Sequence, residues 1–161
     1  MSTTTIRPAE DDELAAVAQL RWRWFLENQG TPPGPQEEFI ESFASWARDH
    51  RASHHCLVLI EDEAFIGMAW LAITPRVPGV LSRDRAMGDL QSMYVIPERR
   101  NDGLGGRLID AVVDLAGRLG LERVTVQSTK NAVNAYTRHG FATSPGLLHT
   151  EPRVDTSADT V

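Results

Sequence analysis

The feature that most constrains this chain is a strand that runs through a glycine-rich turn into a long amphipathic helix. The predicted strand covers residues 87–95, and Pro97 then ends its pairing because proline has no amide hydrogen to donate. Three glycines follow within residues 103–106, at the head of a stretch at 104–119 whose apolar residues recur at helical spacing. The sequence therefore predicts a strand, a tight turn and a helix that packs one side against a sheet.

The glycine-rich turn is a candidate anion site. A helix begins with amide N–H groups that have no intrahelical partner, and its dipole favours a negative group there. Glycines let the backbone approach such a group closely, and Arg99 and Arg100 add cationic donors suited to phosphate. No Lys-Ser or Lys-Thr pair follows the glycines, and their spacing is not G-x-G-x-x-G, so the turn is neither a Walker loop nor a dinucleotide fingerprint. On these residues alone, a tight turn without a ligand is the alternative.

The other elements mix helical and β patterns. A proline- and glycine-rich break at 29–35 separates two amphipathic helices that precede the apolar strands. In chain order, the predicted elements are helices at 12–28 and 36–50, strands at 56–60, 64–73 and 87–95, a helix at 104–119, a strand at 123–127, a short helix at 131–139 and the start of a strand at 141–143. This order predicts an α/β fold whose mixed sheet is partly antiparallel and partly parallel. We expect one domain over residues 1–150 and a flexible tail over 151–161.

Composition and charge exclude several classes of protein. The 161 residues carry 16 Lys and Arg against 22 Asp and Glu, a net charge of −6, whereas a general nucleic-acid binder needs a basic face. The single cysteine, Cys56, excludes a disulfide framework and a cysteine-based zinc site, and no His, Asp and Glu spacing indicates another metal site. No apolar run reaches the roughly 18 residues of a membrane helix, and the N-terminus lacks the apolar core of a signal peptide. We therefore predict a cytoplasmic protein with no metal, no nucleic-acid partner and no membrane segment.

Several short motifs together resemble one protein family. The pattern V-x-P-x-x-R-x-x-G-x-G at residues 95–105 closely resembles motif A of the Gcn5-related N-acetyltransferases (GNAT). I-R-P-A at 6–9 resembles the family's first strand, Gly67 falls where the family commonly has glycine, and Y-x-x-x-G-F at 136–141 resembles its tyrosine signature. The resemblance covers about residues 5–150 and implies the family's fold, a central mixed sheet with helices on both faces.

The resemblance implies transfer of an acetyl group from acetyl-CoA to an amine. In such folds the fourth and fifth strands splay apart, and the pantetheine arm lies in the gap like a short extra strand. The turn and the helix start would hold the pyrophosphate. The residues implied to bind acetyl-CoA are Met93, Tyr94, Val95, Arg99, Arg100, Asn101, Asp102, Gly103, Leu104, Gly105 and Gly106. The family often has Asn seven residues before the tyrosine, whereas this chain has Thr129.

The reaction itself requires a base and an acid. A lysine-like amine has a pKa of about 10.4 and must lose a proton to attack a thioester. The departing thiolate takes up a proton, and a phenol with a pKa of about 10 is a matched donor. Tyr136 occupies the family's position for this acid, and a tyrosine at the edge of the core is the alternative. Strict strand alternation places Asp89 and Gln91 on one face with Met93 and Val95. Asp89 is the candidate base, and a solvated or capping Asp is the alternative.

The sequence does not identify the amine that accepts the acetyl group. A small-molecule or peptide amine is the main hypothesis, and the alternatives are a protein N-acetyltransferase and a catalytically inert acyl-CoA-binding regulatory module. The acidic residues Glu27, Glu37, Glu38 and Asp89 form either a mouth for a cationic amine or a solvated face. A homodimer is the protein partner that we consider.

Overall fold

The structure is a computed structural model that describes residues 2–154. In chain order its elements are β1 (Thr4–Pro8), α1 (Leu14–Asn28), α2 (Gln36–Asp49), β2 (His54–Glu61), β3 (Ala64–Arg76), β4 (Arg85–Val95), α3 (Leu104–Arg118), β5 (Val124–Val126) and α4 (Val133–Arg138). Short 3-10 turns precede α1 at Asp11–Glu13 and follow β4 at Pro97–Arg99. Most of the flexible tail predicted over 151–161, from residue 155 onward, lies outside the described residues.

The strands form one mixed sheet in the order β1-β2-β3-β4-β5. The first four strands are antiparallel neighbours, and β5 pairs with β4 in parallel. A parallel neighbour requires a crossover connection, which α3 supplies between β4 and β5. The predicted mixed α/β sheet is therefore confirmed.

Helices cover both faces of this sheet, because its central strands are apolar on both sides. In β2, Leu57 and Leu59 pack toward α3, whereas Val58 between them packs toward α1 and α2. Burying an aliphatic side chain fully is worth about 1.5–3 kcal/mol, so each helix layer is held mainly by such contacts. Over residues 2–154, no helix has both the length and the apolar character needed to cross a bilayer.

The strand expected to start at 141–143 is absent, and no strand follows β5 within the described part of the chain. Gly140 has a φ of +94°, and the Phe141 amide donates to the Tyr136 carbonyl at 3.0 Å. This six-to-one bond ends α4 in the manner of a Schellman motif. The Phe141 ring then packs edge-on to Tyr136, with ring centroids 5.3 Å apart. The apolar residue that suggested a strand is therefore used to cap and cover α4.

Candidate active site

The candidate site lies where β4 and β5 separate. Their pairing runs through Gly88–Val124, Asp89–Thr125 and Leu90–Val126 and then stops, whereas β4 continues to Val95. Within residues 2–154, the last part of β4 therefore has no strand paired with it on that side. A cavity of about 990 Å³ fills the opening. This is the separation of strands four and five that the sequence resemblance implies.

Three walls enclose this cavity. Its lining comes from the second half of α1, the end of β4 with the turn after it, and the segment between β5 and α4. The lining residues are Arg21, Trp24, Glu27, Asn28, Leu90, Ser92, Met93, Tyr94, Val95, Arg100, Asn101, Gly105, Val126, Gln127, Ser128, Thr129, Asn131, Ala132 and Tyr136. The cavity thus brings Tyr136 together with six of the predicted acetyl-CoA residues.

A bulge in β4 changes which side chains share a face. Trp70 of β3 pairs with Gln91, but Met68 pairs with Tyr94, so an extra residue is inserted at Ser92, whose φ is +52°. Past the bulge, Met93 and Val95 pack into the core layer of α3 together with Leu90. The predicted alternation, with Asp89 and Gln91 on the face of Met93 and Val95, is therefore wrong. The bulge coincides with the point where β4 leaves β5.

The start of α3 presents backbone donors beside the cavity. The first backbone bond into this helix runs from the Arg107 amide to the Gly103 carbonyl at 3.1 Å. The amides of Leu104, Gly105 and Gly106 therefore have no intrahelical acceptor, and the helix dipole favours a negative group near them. The Leu104 side chain is buried in the core, so its backbone alone is available to a ligand.

The three glycines here serve different purposes. Gly103 precedes α3 with a φ of +77°, a left-handed conformation that favours glycine. Gly105 lines the cavity, and a Cβ built on it would meet no heavy atom within 4 Å. A Cβ on Gly106 would overlap the ring of His139, which is held by Asp110 at 2.8 Å. The open space at Gly105 is thus the part of the turn where a ligand can approach.

Arg99 and Arg100 were predicted as phosphate donors, and the structure engages both with carboxylates. Arg99 pairs with Glu61 and reaches Asp102 at 3.4 Å, and it does not line the cavity. Arg100 lines the cavity, donates from Nε to the Val95 carbonyl at 3.0 Å and holds Glu27 of α1 with both terminal nitrogens. Arg100 therefore ties the turn to α1.

Glu27 also accepts a hydrogen bond of 2.9 Å from the hydroxyl of Tyr94. The hydrogen bond from Arg100 lowers the pKa of Glu27, so this carboxylate is a weak base. Burial, reinforced by Glu27, raises the pKa of Tyr94 to about 12. Near neutral pH Glu27 therefore stays ionised and Tyr94 stays protonated, and their hydrogen bond links α1 to β4.

Tyr136 projects from α4 into the cavity. It is 7% exposed, and burial raises the pKa of its phenol. In residues 2–154 the one hydrogen-bond partner of its hydroxyl is the Met93 sulfur, a weak acceptor 3.9 Å away. The hydroxyl is thus protonated at neutral pH and is not committed to a strong partner.

Asp89 does not line the large cavity that contains Tyr136. Its Oδ1 accepts from the Thr125 hydroxyl at 2.8 Å and its Oδ2 from the Gln91 amide at 2.9 Å. It lines a smaller cavity of about 490 Å³ beside the β3–β4 loop, not the large one. The structure therefore does not bring Asp89 together with Tyr136.

Comparison with known proteins identifies the family. Residues 10–141 match the model of the acetyltransferase (GNAT) family, which is most of the chain. The chain belongs to the GNAT family. It is accordingly an acetyl-CoA-dependent acetyltransferase. An uncharacterized N-acetyltransferase of Bacillus subtilis, YhfO, is 28% identical over 152 residues, which cover 89% of this chain and 93% of that protein.

Solved structures of two acetyltransferases, one of them a predicted one, share the fold. A predicted acetyltransferase from Clostridium acetobutylicum, solved with acetyl-CoA, superposes with a TM-score of 0.75 at 16% identity, over 92% of this chain and 96% of that chain. Glucosamine-6-phosphate N-acetyltransferase from Arabidopsis thaliana superposes with a TM-score of 0.71 at 18% identity, over 95% of this chain and 99% of that chain. At these identities the likeness establishes the fold.

Sequence reasoning did not assign three α1 residues to the GNAT site, although it considered Glu27 of the same helix for an acidic mouth. Arg21, Trp24 and Asn28 line the cavity at spacings of three and four residues, so they form one stripe of the helix. That spacing was visible in the sequence, but nothing marked the stripe as facing a cavity rather than solvent.

Proposed function

We propose that this GNAT protein transfers the acetyl group of acetyl-CoA to a primary amine of a small molecule or peptide, by direct attack in a ternary complex. The observation that carries the proposal is the pairing of two features in one cavity. Within residues 2–154, amides without an intrahelical acceptor lie at the start of α3, and the uncommitted hydroxyl of Tyr136 projects into the same cavity from α4. The first suits a phosphate and the second suits a leaving thiolate.

The residues present fit the acetyl-CoA cosubstrate. The open space over Gly105 is a cradle that a Cβ would fill, and it adjoins the free amides of α3. The free side of β4 supports pairing of Met93, Tyr94 and Val95 with the amide groups of pantetheine. Asn101, Asp102 and Gly103 shape the turn that presents these amides, with Asn101 at a φ of +68°. In this scheme Arg99 and Arg100 position the turn through their carboxylate partners.

The transfer follows from these positions. The neutral amine nitrogen attacks the thioester carbonyl, a C–N bond forms, and the C–S bond breaks as the electron pair returns to sulfur. The Tyr136 hydroxyl donates its proton to the departing thiolate. The amine loses one proton to a base or to water, and that proton restores the tyrosine through solvent. Protons therefore balance over one turnover.

Asp89 stays the predicted base. Because both of its oxygens are hydrogen-bonded and neither lines the large cavity, a proton from the amine reaches it only through intervening water. Glu27 lies nearer the cavity, but its pairing with Arg100 keeps it ionised and weakly basic.

An acceptor screen tests the proposal. Purified protein is titrated with CoA and then mixed with acetyl-CoA and a panel of small amines, peptides and proteins, while free thiol is measured. We expect CoA to bind, and thiol release to require one class of amine. CoA binding with thiol release by protein substrates alone would favour the protein N-acetyltransferase considered from the sequence. CoA binding with no amine-dependent release would favour the inert regulatory module.

Several expectations lie beyond this site. A cytoplasmic location, a homodimer, the absence of a metal and of a nucleic-acid partner, and a single domain ending near residue 150 stay predictions.

A further inference from the structure

One cation of the cavity has no internal partner. Arg21 is half-buried on α1 and lines the cavity, yet across residues 2–154 no carboxylate, carbonyl or hydroxyl accepts a hydrogen bond from it. The other arginines of this region differ, because Arg23 pairs with Glu98, and Arg100 pairs with Glu27. Arg21 is therefore the exception on its wall of the site.

The charges that line the cavity do not cancel. Three lining residues are charged, namely Arg21, Glu27 and Arg100. Glu27 is neutralised by Arg100 and also accepts from Tyr94, so it has little capacity left for a second cation. The positive charge of Arg21 stays uncompensated. A chain with a net charge of −6 thus carries a locally positive acceptor cavity, and the acidic mouth considered from the sequence is not formed there.

The guanidinium of Arg21 is also held in place. Its Cζ lies 4.4 Å from the centroid of the Trp24 ring, which is within the range of a cation–π contact. Stacking uses the flat face of the group and leaves its in-plane N–H donors free. Burial lowers the pKa of Arg21, which reflects the loss of hydration around it. An anion that binds in the cavity would supply hydrogen bonds to a guanidinium that burial has partly dehydrated.

We propose that the acceptor amine also carries an anionic group, a carboxylate or a phosphate, which the Arg21 guanidinium binds from its stacked position on Trp24. This inference rests on the proposed function and narrows its substrate class. The planar fork of arginine matches both oxyanions with two parallel hydrogen bonds. The proposed function assigns the cosubstrate phosphates to the free amides at the start of α3, which leaves the Arg21 guanidinium of α1 for the acceptor.

Matched acceptor pairs test this inference. Each pair joins an amino acid to its carboxamide, or an aminoalkyl phosphate to the corresponding amino alcohol, so the amine is kept while the negative charge is removed. The wild-type enzyme should acetylate the anionic member with the higher kcat/KM. In Arg21→Gln that preference should fall by about tenfold to a hundredfold, chiefly through KM, and Arg21→Lys should restore part of it. The two kinds of pair distinguish carboxylate from phosphate.

The control variant is Arg23→Gln, on the same helix but outside the cavity, and it should keep the wild-type preference. CoA affinity, measured by titration, should be unchanged in Arg21→Gln. Three results would overturn the inference: wild-type enzyme that prefers the neutral members or acetylates no anionic one, a preference that survives in Arg21→Gln, or a loss of CoA affinity in that variant. Failure of the wild-type protein to bind CoA would instead remove the proposed function itself.

Discussion

Replacement of Gly105 by valine should weaken CoA binding while leaving the fold intact. A Cβ at this position would meet no protein atom within 4 Å outside its own helix turn, and Gly105 lines the cavity, so we expect the added branches to project into the cavity. Valine has a higher helix propensity than glycine by a few tenths of a kcal/mol, so the free energy of unfolding should stay within about 1 kcal/mol of wild type. The substitution should therefore lower the affinity for CoA and leave the free energy of unfolding nearly unchanged.

The size of the binding loss follows from the donors at the start of α3. A hydrogen bond to a charged group is worth about 1.5–3 kcal/mol, and displacement of a phosphate oxygen from one amide removes one such bond. Since about 1.4 kcal/mol corresponds to a factor of ten, the dissociation constant for CoA should rise by about tenfold to a hundredfold. Calorimetric titration measures it.

The matched control is Gly117→Val. Gly117 lies further along the same helix, and a Cβ there also meets no atom within 4 Å, but it does not line the cavity. This variant should bind CoA like wild type. A dissociation constant within about twofold of wild type in Gly105→Val would refute the assignment of phosphate binding to this turn.

Two further predictions concern the supports of the site. Gly106→Ala should lower the free energy of unfolding by about 1–2 kcal/mol in denaturant, because the new methyl group overlaps the His139 ring. In a His139→Ala background most of that loss should disappear, and additive losses would contradict the contact. Glu27→Gln should lower stability at pH 7, and the difference from wild type should shrink as the pH falls below the ordinary carboxyl range. The pairing with Arg100 lowers the pKa of Glu27, so its stabilisation is present above the ordinary carboxyl range and is lost as pH falls through the lowered value; a difference independent of pH would contradict the pairing.

The sequence specified those parts of the site that depend on neighbouring residues. The turn from β4 into α3, with glycines at fixed spacing, is local, and so is the tyrosine four residues before Gly140 in the α4 segment. Apolar periodicity likewise located most helices and strands to within a few residues, because each buries one stripe or face. The mixed sheet followed from their order, and the two helix layers followed from the resemblance to the GNAT family.

The remaining features depend on contacts between distant residues. Arg100 meets Glu27 across 73 positions of sequence, so no local pattern showed that this arginine is occupied. The bulge at Ser92 is set by the register between β3 and β4, and a period of two cannot reveal a single inserted residue. Phenylalanine is common in strands, so Phe141 suggested a strand, but its backbone amide forms the hydrogen bond that ends α4.

The role of Tyr136 as the acid for the departing thiolate is the central claim. Tyr136→Phe keeps the ring and its contact with Phe141 and removes only the hydroxyl, whose one hydrogen-bond partner in residues 2–154 is the Met93 sulfur. Losing one positioned acid costs about 10²- to 10⁴-fold in rate, so kcat should fall by at least about tenfold with little change in the KM for acetyl-CoA. Tyr94→Phe makes the same chemical change at a hydroxyl that is bound to Glu27, so its effect should not depend on the leaving group.

The decisive measurement is the ratio of wild-type to Tyr136→Phe kcat for acetyl-CoA and for an acetyl thioester with a more acidic thiol. A better leaving group needs less help from an acid, so the ratio should shrink with the more acidic thiol. An equal loss with both donors would show that the hydroxyl positions the thioester without protonating it. No loss with either donor would contradict the claim outright and leave proton donation to water.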